Sequence, residues 1–182
     1  MSMSLSALTP SPVATEGTNW ASLNSAPVAG RAVSVDLAGA APQTVRRVQV
    51  SAALRPAIVG DADPLGQNRY TALRSFRLLA CDATAGVDCA ASASYRPVLT
   101  SAADAFPATR PRPRVGDLTV RSFEVPATQA THLRLEVLTS QCTGGPDFAG
   151  EQDQDPRSAT DCSTASTAND DVRVAELQAF AR

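Results

Sequence analysis

In several short stretches of this chain, apolar residues alternate with polar ones, and no long segment shows apolar residues at helical spacing. The clearest alternation lies within residues 131–142, where Leu133, Leu135 and Val137 interleave with His132, Arg134 and Glu136. A period of two is the mark of a strand with one buried and one wet face, and a one-residue slip would turn three polar side chains inward. The same pattern predicts a strand over residues 31–37, with Val33, Val35 and Leu37 on one face. It predicts another over 44–54, where Val48 and Val50 point inward and Val45 joins them through a bulge. Residues 74–83 are apolar enough, through Phe76, Leu78, Leu79 and Ala80, to predict a central strand ending at Cys81.

Shorter strands are expected over 95–100 and 118–125. In the second, Leu118 and Val120 have one parity while Phe123 and Val125 have the other, so a bulge or twist is expected near Arg121 and Ser122. Residues 172–180 would be the closing strand. Between these runs, residues 61–66 (Asp-Ala-Asp-Pro-Leu-Gly) carry turn chemistry. Seven or eight short strands, with turn signals between them and no helix, predict an all-β antiparallel sandwich.

Size and charge narrow the picture. At 182 residues the chain fits a single domain, which by the usual scaling buries roughly 70% of its unfolded surface. The net charge is −2, from 16 basic and 18 acidic residues, so no basic field invites nucleic acid. No run reaches the ~20 consecutive apolar residues of a membrane-spanning helix, and insertion into a membrane is not expected. Residues 1–13 are punctuated by Ser and Pro and read as a linker, with the domain occupying 14–182. They lack the pattern of a signal peptide, so export would rest on a longer parent.

The four cysteines fall into two local pairs, Cys81 with Cys89 and Cys142 with Cys162, each enclosing a polar loop. Three pairings are formally open, and the local one asks least of the chain. Disulfides imply an oxidising, extracellular compartment. Zinc is disfavoured because there is no Cys-x-x-Cys spacing and His132 is the only histidine.

Order, more than any one motif, gives the chain its resemblance to a family. Residues 16–22 (Glu-Gly-Thr-Asn-Trp-Ala-Ser) look like an Asp-Gly loop leading to a Trp-x-Ser step. Residues 32–37 resemble a second-strand Val-Asp-Leu, 131–135 a late strand with arginine among aliphatics, and 174–178 a closing strand containing glutamate. Together they resemble the discoidin, or galactose-binding-like, jelly-roll modules over about residues 14–182. Residues 69–76, 105–107 with 110–113, and 141–145 leading to 161–162 resemble more narrowly the C-terminal accessory module of actinobacterial secreted metallopeptidases of the fungalysin type. The zinc motif of such a peptidase is absent from this chain.

That resemblance implies a jelly roll of about eight strands and a structural calcium ion held by Glu16, Thr18, Asn19 and Glu176. Oxygen ligands are what that ion selects, although Glu16 stands where the family usually has an Asp. It also implies a non-catalytic module of a secreted parent, attaching it to a polymeric substrate, a glycan or a cell surface through loops at one end of the sandwich. The alternative is a cap that stabilises the parent's catalytic domain and binds nothing else.

No catalytic constellation competes with this. A serine hydrolase needs a nucleophile beside a base, and His132 is expected to point outward from its strand with no Gly-x-Ser-x-Gly elbow to serve. Carboxylates at Asp61 and Asp63, or at Glu151, Asp153 and Asp155, lie in polar loops and fail the EF-hand spacing. Arg110, Arg112 and Arg114 alternate with prolines in a stiff segment suited to an acidic partner. Among the aromatics, Phe76, Phe106, Phe123 and Phe180 are expected in the core and Trp20 beneath the N-terminal loop. Tyr70, Tyr95 and Phe148 are left as candidate ligand platforms, although each type is more often a packing residue.

Overall fold

The computed structural model describes residues 20–21, 27–39, 41–52, 72–106, 120–143 and 172–181. Among the described residues nine strands run in chain order: β1 Trp20–Ala21, β2 Ala32–Asp36, β3 Gln43–Ser51, β4 Leu73–Cys81, β5 Arg96–Thr100, β6 Val120–Ala130, β7 His132–Ser140, β8 Arg173–Val174 and β9 Glu176–Phe180. Among the described residues only two single 3₁₀ turns, Ala83–Ala85 and Ser92–Ser94, are helical. One sheet has the order β2-β7-β4-β5, the facing sheet β6-β3-β9, and β1 pairs with β8. All these ladders are antiparallel.

β7 lies between β2 and β4, and its alternation decides its place. Leu133, Leu135 and Val137 are fully buried and meet Val33 and Val35 on one flank and Phe76, Leu78 and Ala80 on the other. The opposite layer contributes Val45, Val48, Val50, Val125, Leu177 and Ala179. Phe76 and Phe123 join the layers edge to face, with ring centroids 4.9 Å apart, and Phe106 lies 6.2 Å from Phe123. β4 is apolar on both parities because both its faces are covered. Its inner residues enter the main core, while Leu79 and Cys81 on the outer face form a second cluster with Cys89 and Tyr95.

The expected bulge at Val45 is present, with the β3–β6 register shifting between Val45 and Arg47. The irregularity expected near Arg121 and Ser122 lies elsewhere. Those two residues pair regularly with Val50 and Gln49, and the extra residues of β6 fall at Val125, Pro126 and Ala127, opposite Arg46. β6 also runs on to Ala130. Because it is an edge strand of its sheet, the missing N–H of Pro126 costs no ladder bond. The closing strand is divided at Ala175, whose N–H bonds to the Ser51 carbonyl, so β8 serves β1 while β9 serves β3.

Phe180 is a further correction. Leu177 and Ala179 take the inward parity of β9, which leaves Phe180 half-buried on the outer face beneath the Arg47 guanidinium, 4.5 Å from the ring centroid. The turn from β2 to β3 passes through Gly39 at φ +101°, a backbone region that side-chain-bearing residues rarely adopt.

Candidate functional site

The described loop roots gather at one end of the sandwich. β3 ends at Ser51, opposite Val120 on β6 and Glu176 on β9, while Leu73 on β4 faces Ser140 on β7. Ala72 bridges to Arg173, and Ala21 pairs with the same arginine. The described residues that flank segments 53–71, 107–119 and 144–171 therefore lie at this end. The other end carries the β2–β3 turn, the end of β9 and the Cys81–Cys89 loop.

Gln141 holds these roots together. It follows β7 at the inward parity of Leu135 and Val137 and is fully buried. Its backbone N–H donates to the Ala72 carbonyl at 2.8 Å, and its side-chain Nε2 donates to the carbonyls of Leu73 and Phe106 at 3.2 and 2.9 Å. Two carbonyl acceptors on Nε2 define which way the amide points, and among the described residues Oε1 has no hydrogen-bond partner. Arg121 adds a bond across the mouth of the sandwich, from Nη1 to the Ala105 carbonyl at 3.1 Å. The sequence motif around Cys142 contained Gln141 without assigning it a role. The signal that would have found it is a long polar side chain on the buried parity of the most regular strand.

Of the proposed calcium ligands, Glu16, Thr18 and Asn19 lie outside the described residues. The next residue, Trp20, pairs with Val174, two positions before Glu176, so the root of the N-terminal loop meets the closing strand. Glu176 is half-buried, and its Oε1 accepts a 2.6 Å bond from Gln178 Nε2. A carboxylate in that position suits a hard cation. Among the described residues no cluster of three His, Cys, Asp or Glu side chains forms a metal centre.

Tyr70 and Phe148 also lie outside the described residues. Tyr95 is only 8% exposed. It packs against the Cys81–Cys89 cystine, with Arg134 stacked 5.7 Å above its ring, and among the described residues its hydroxyl has no hydrogen-bond partner. It offers no open face for a ligand. Cys81 and Cys89 are bonded, Cα–Cα 5.8 Å apart, and Cys142 is also in a disulfide; Cys162 lies outside the described residues.

His132 faces outward from β7, as its parity requires. Its Nε2 lies 3.0 Å from Asp36 Oδ1 and its Nδ1 2.8 Å from Thr131 Oγ1. This line of Asp, His and hydroxyl has the residue types of a nucleophilic triad, but the hydroxyl is committed to structure. Thr131 is 6% exposed, and its Oγ1 accepts from Ala83 N–H at 2.8 Å and lies 3.3 Å from the Cys81 carbonyl. The group ties the cystine loop to β7 and β2. Further along the same face Arg77 pairs with Glu136 at 3.1 Å.

At the end opposite the loop roots, a small cleft of about 90 Å³ opens to solvent. Leu37 and Ala38 after β2, Gln43 and Val45 of β3, and residues 179–181 line it.

No family model matches the chain, and no curated protein matches it. Among solved structures it is similar to the family 32 carbohydrate-binding module of AlyQ, in complex with 4,5-unsaturated mannuronic acid, at 13% identity over 90% of this chain and 77% of that one, TM-score 0.46. It is similar at 13% identity to a family 32 module from Clostridium perfringens in complex with GalNAc-β-1,3-galactose, covering 91% and 76%, TM-score 0.47. A third, from a family 31 glycoside hydrolase of the same organism, shares 9% identity over 91% and 78%, TM-score 0.49. The two facing antiparallel sheets form the all-β sandwich that the alternating residues predict.

Proposed function

We propose that the protein is a non-catalytic binding module that attaches a secreted parent to a glycan, another polymeric substrate or a cell surface, through the loops at the Gln141 end of the sandwich. The observation that carries this reading is the convergence of the loop roots on one buried amide, which gives variable loops a rigid base. The bonded cysteines suit an oxidising, extracellular compartment. The motif resemblance supports a metallopeptidase parent of the fungalysin type. The carboxylate of Glu176, close to where the N-terminal loop joins the fold, supports a structural calcium ion shared with Glu16, Thr18 and Asn19.

Pull-down of the purified chain on insoluble polysaccharides, collagen-like proteins and cell walls tests the reading. Retention on one of these classes, released by the matching soluble oligomer, is expected. Retention on none of them would replace the proposal with that of a cap on the parent's catalytic domain.

A further inference from the structure

β2 is an edge strand with a full set of open backbone groups. At the two ends of its ladder with β7, the Val137 N–H donates to the Arg31 carbonyl and the Leu37 N–H to the Thr131 carbonyl, both at 2.7 Å. Hydrogen-bonded pairs alternate along an antiparallel ladder, so Val33 and Val35 exchange their bonds with Leu135 and Leu133. The N–H and C=O groups of Ala32, Ser34 and Asp36 therefore point away from β7, and no described strand pairs with them. Edge strands are commonly blunted by proline, which β5 carries at Pro97 and β6 at Pro126. β2 carries none.

Two neighbouring features say what fits there. β5 and β6 touch on one side of the sandwich, which leaves β2 and β9 as the edges of the opposite side. The small cleft opens between their ends, lined by Leu37 and Ala38 after β2 and by Ala179 and Phe180 of β9. At about 90 Å³ it is smaller than the roughly 150 Å³ cavity that takes a benzene ring, and it has room for one aliphatic side chain. The other feature is Asp36, whose side chain is 80% exposed although His132 holds one of its oxygens. Arg134, next along the same face, is engaged by Ser34 and Tyr95. A carboxylate beside an open edge favours a strand with a basic residue opposite it.

We propose that the β2 edge binds an extended peptide as an added antiparallel strand, with a basic residue opposite Asp36 and an aliphatic one in the cleft. Opposed residues share a face, so the basic side chain stands on the wet side with Asp36. The neighbouring residue of the peptide, opposite Leu37, then points inward to the cleft. The backbone bonds supply affinity and the two side chains supply selectivity. The partner is a protein segment rather than a sugar, and the edge is separate from the loop end, so the proposal stands apart from the glycan-binding reading.

Amide hydrogen exchange followed by NMR on the full chain tests it, with the peptide acetyl-Thr-Leu-Arg-Val-Thr-Val-Thr-amide as the probe. The amides of Ala32, Ser34 and Asp36 are expected to exchange freely in the chain alone and to slow by about tenfold or more with saturating peptide. Ser34→Pro removes an outward N–H without touching the ladder to β7, and Ala38→Trp fills the cleft from an exposed position. Each should weaken the peptide by about fivefold or more, as should Glu in place of its Arg. No slowing at these amides, equal binding of the Glu peptide, or binding within about twofold of the parent chain in Ala38→Trp overturns the proposal. Slow exchange in the chain alone also overturns it. The edge is then covered by another segment of the chain or, where the slowing grows with protein concentration, by a second copy. If Ser34→Pro fails to fold, Ala38→Trp and the Glu peptide decide.

Discussion

Replacing both Cys81 and Cys89 by Ala removes the covalent tie of a loop that covers the outer face of β4. The sequence separation is 8, for which the chain-entropy relation gives a loss of about 2.5 kcal/mol at 25 °C. Local bonds temper the loss without replacing the tie. Asp82 Oδ1 accepts from Thr84 N–H at 3.0 Å, Asp88 Oδ1 from Ala90 N–H at 2.9 Å, and Thr131 Oγ1 from Ala83 N–H at 2.8 Å. For a chain of this length the expected fall in melting temperature is about 5–10 °C. Denaturant unfolding of both proteins under identical conditions gives the difference. Because the loop lies at the end away from Gln141, retention on a glycan well below the melting temperature should be unchanged. A stability loss below about 0.5 kcal/mol would refute the reasoning, since the loop would then be held by its hydrogen bonds alone.

Phe76→Ala deletes the ring that joins the two layers and should cost about 3–5 kcal/mol, read as a shifted denaturant midpoint. Gln141→Leu strands the carbonyls of Leu73 and Phe106 and should cost about 2–4 kcal/mol. Faster proteolysis of the segments rooted there should accompany the loss, as limited proteolysis with mass spectrometry would show. Calcium should raise the melting temperature of the parent chain and leave that of Glu176→Gln unmoved. An equal response of the two would remove Glu176 from the ion's ligands.

Most of the sandwich was legible because a strand with one wet face writes its register into its residues. Leu133, Leu135 and Val137 identified β7 and its buried face, and the misplaced Val45 announced the bulge in β3. β6 was harder to read. Its apparent change of parity near Arg121 comes from an edge position where Val120 is 49% exposed, so the apolar pattern no longer reports burial there. The local cysteine pair Cys81–Cys89 could be read from spacing, whereas the burial of Tyr95 behind it could not.

By itself, then, the sequence determined the strands, their inward residues and the all-β class, because period-two patterning is a property of neighbours along the chain. Tertiary structure alone decided which strands meet. That pairing turned Gln141 into a clamp on three loop roots, sent Phe180 outside beneath Arg47, and bound the His132 line into the frame. Those outcomes depend on residues brought together from distant parts of the chain, and local alternation carries no record of such partners.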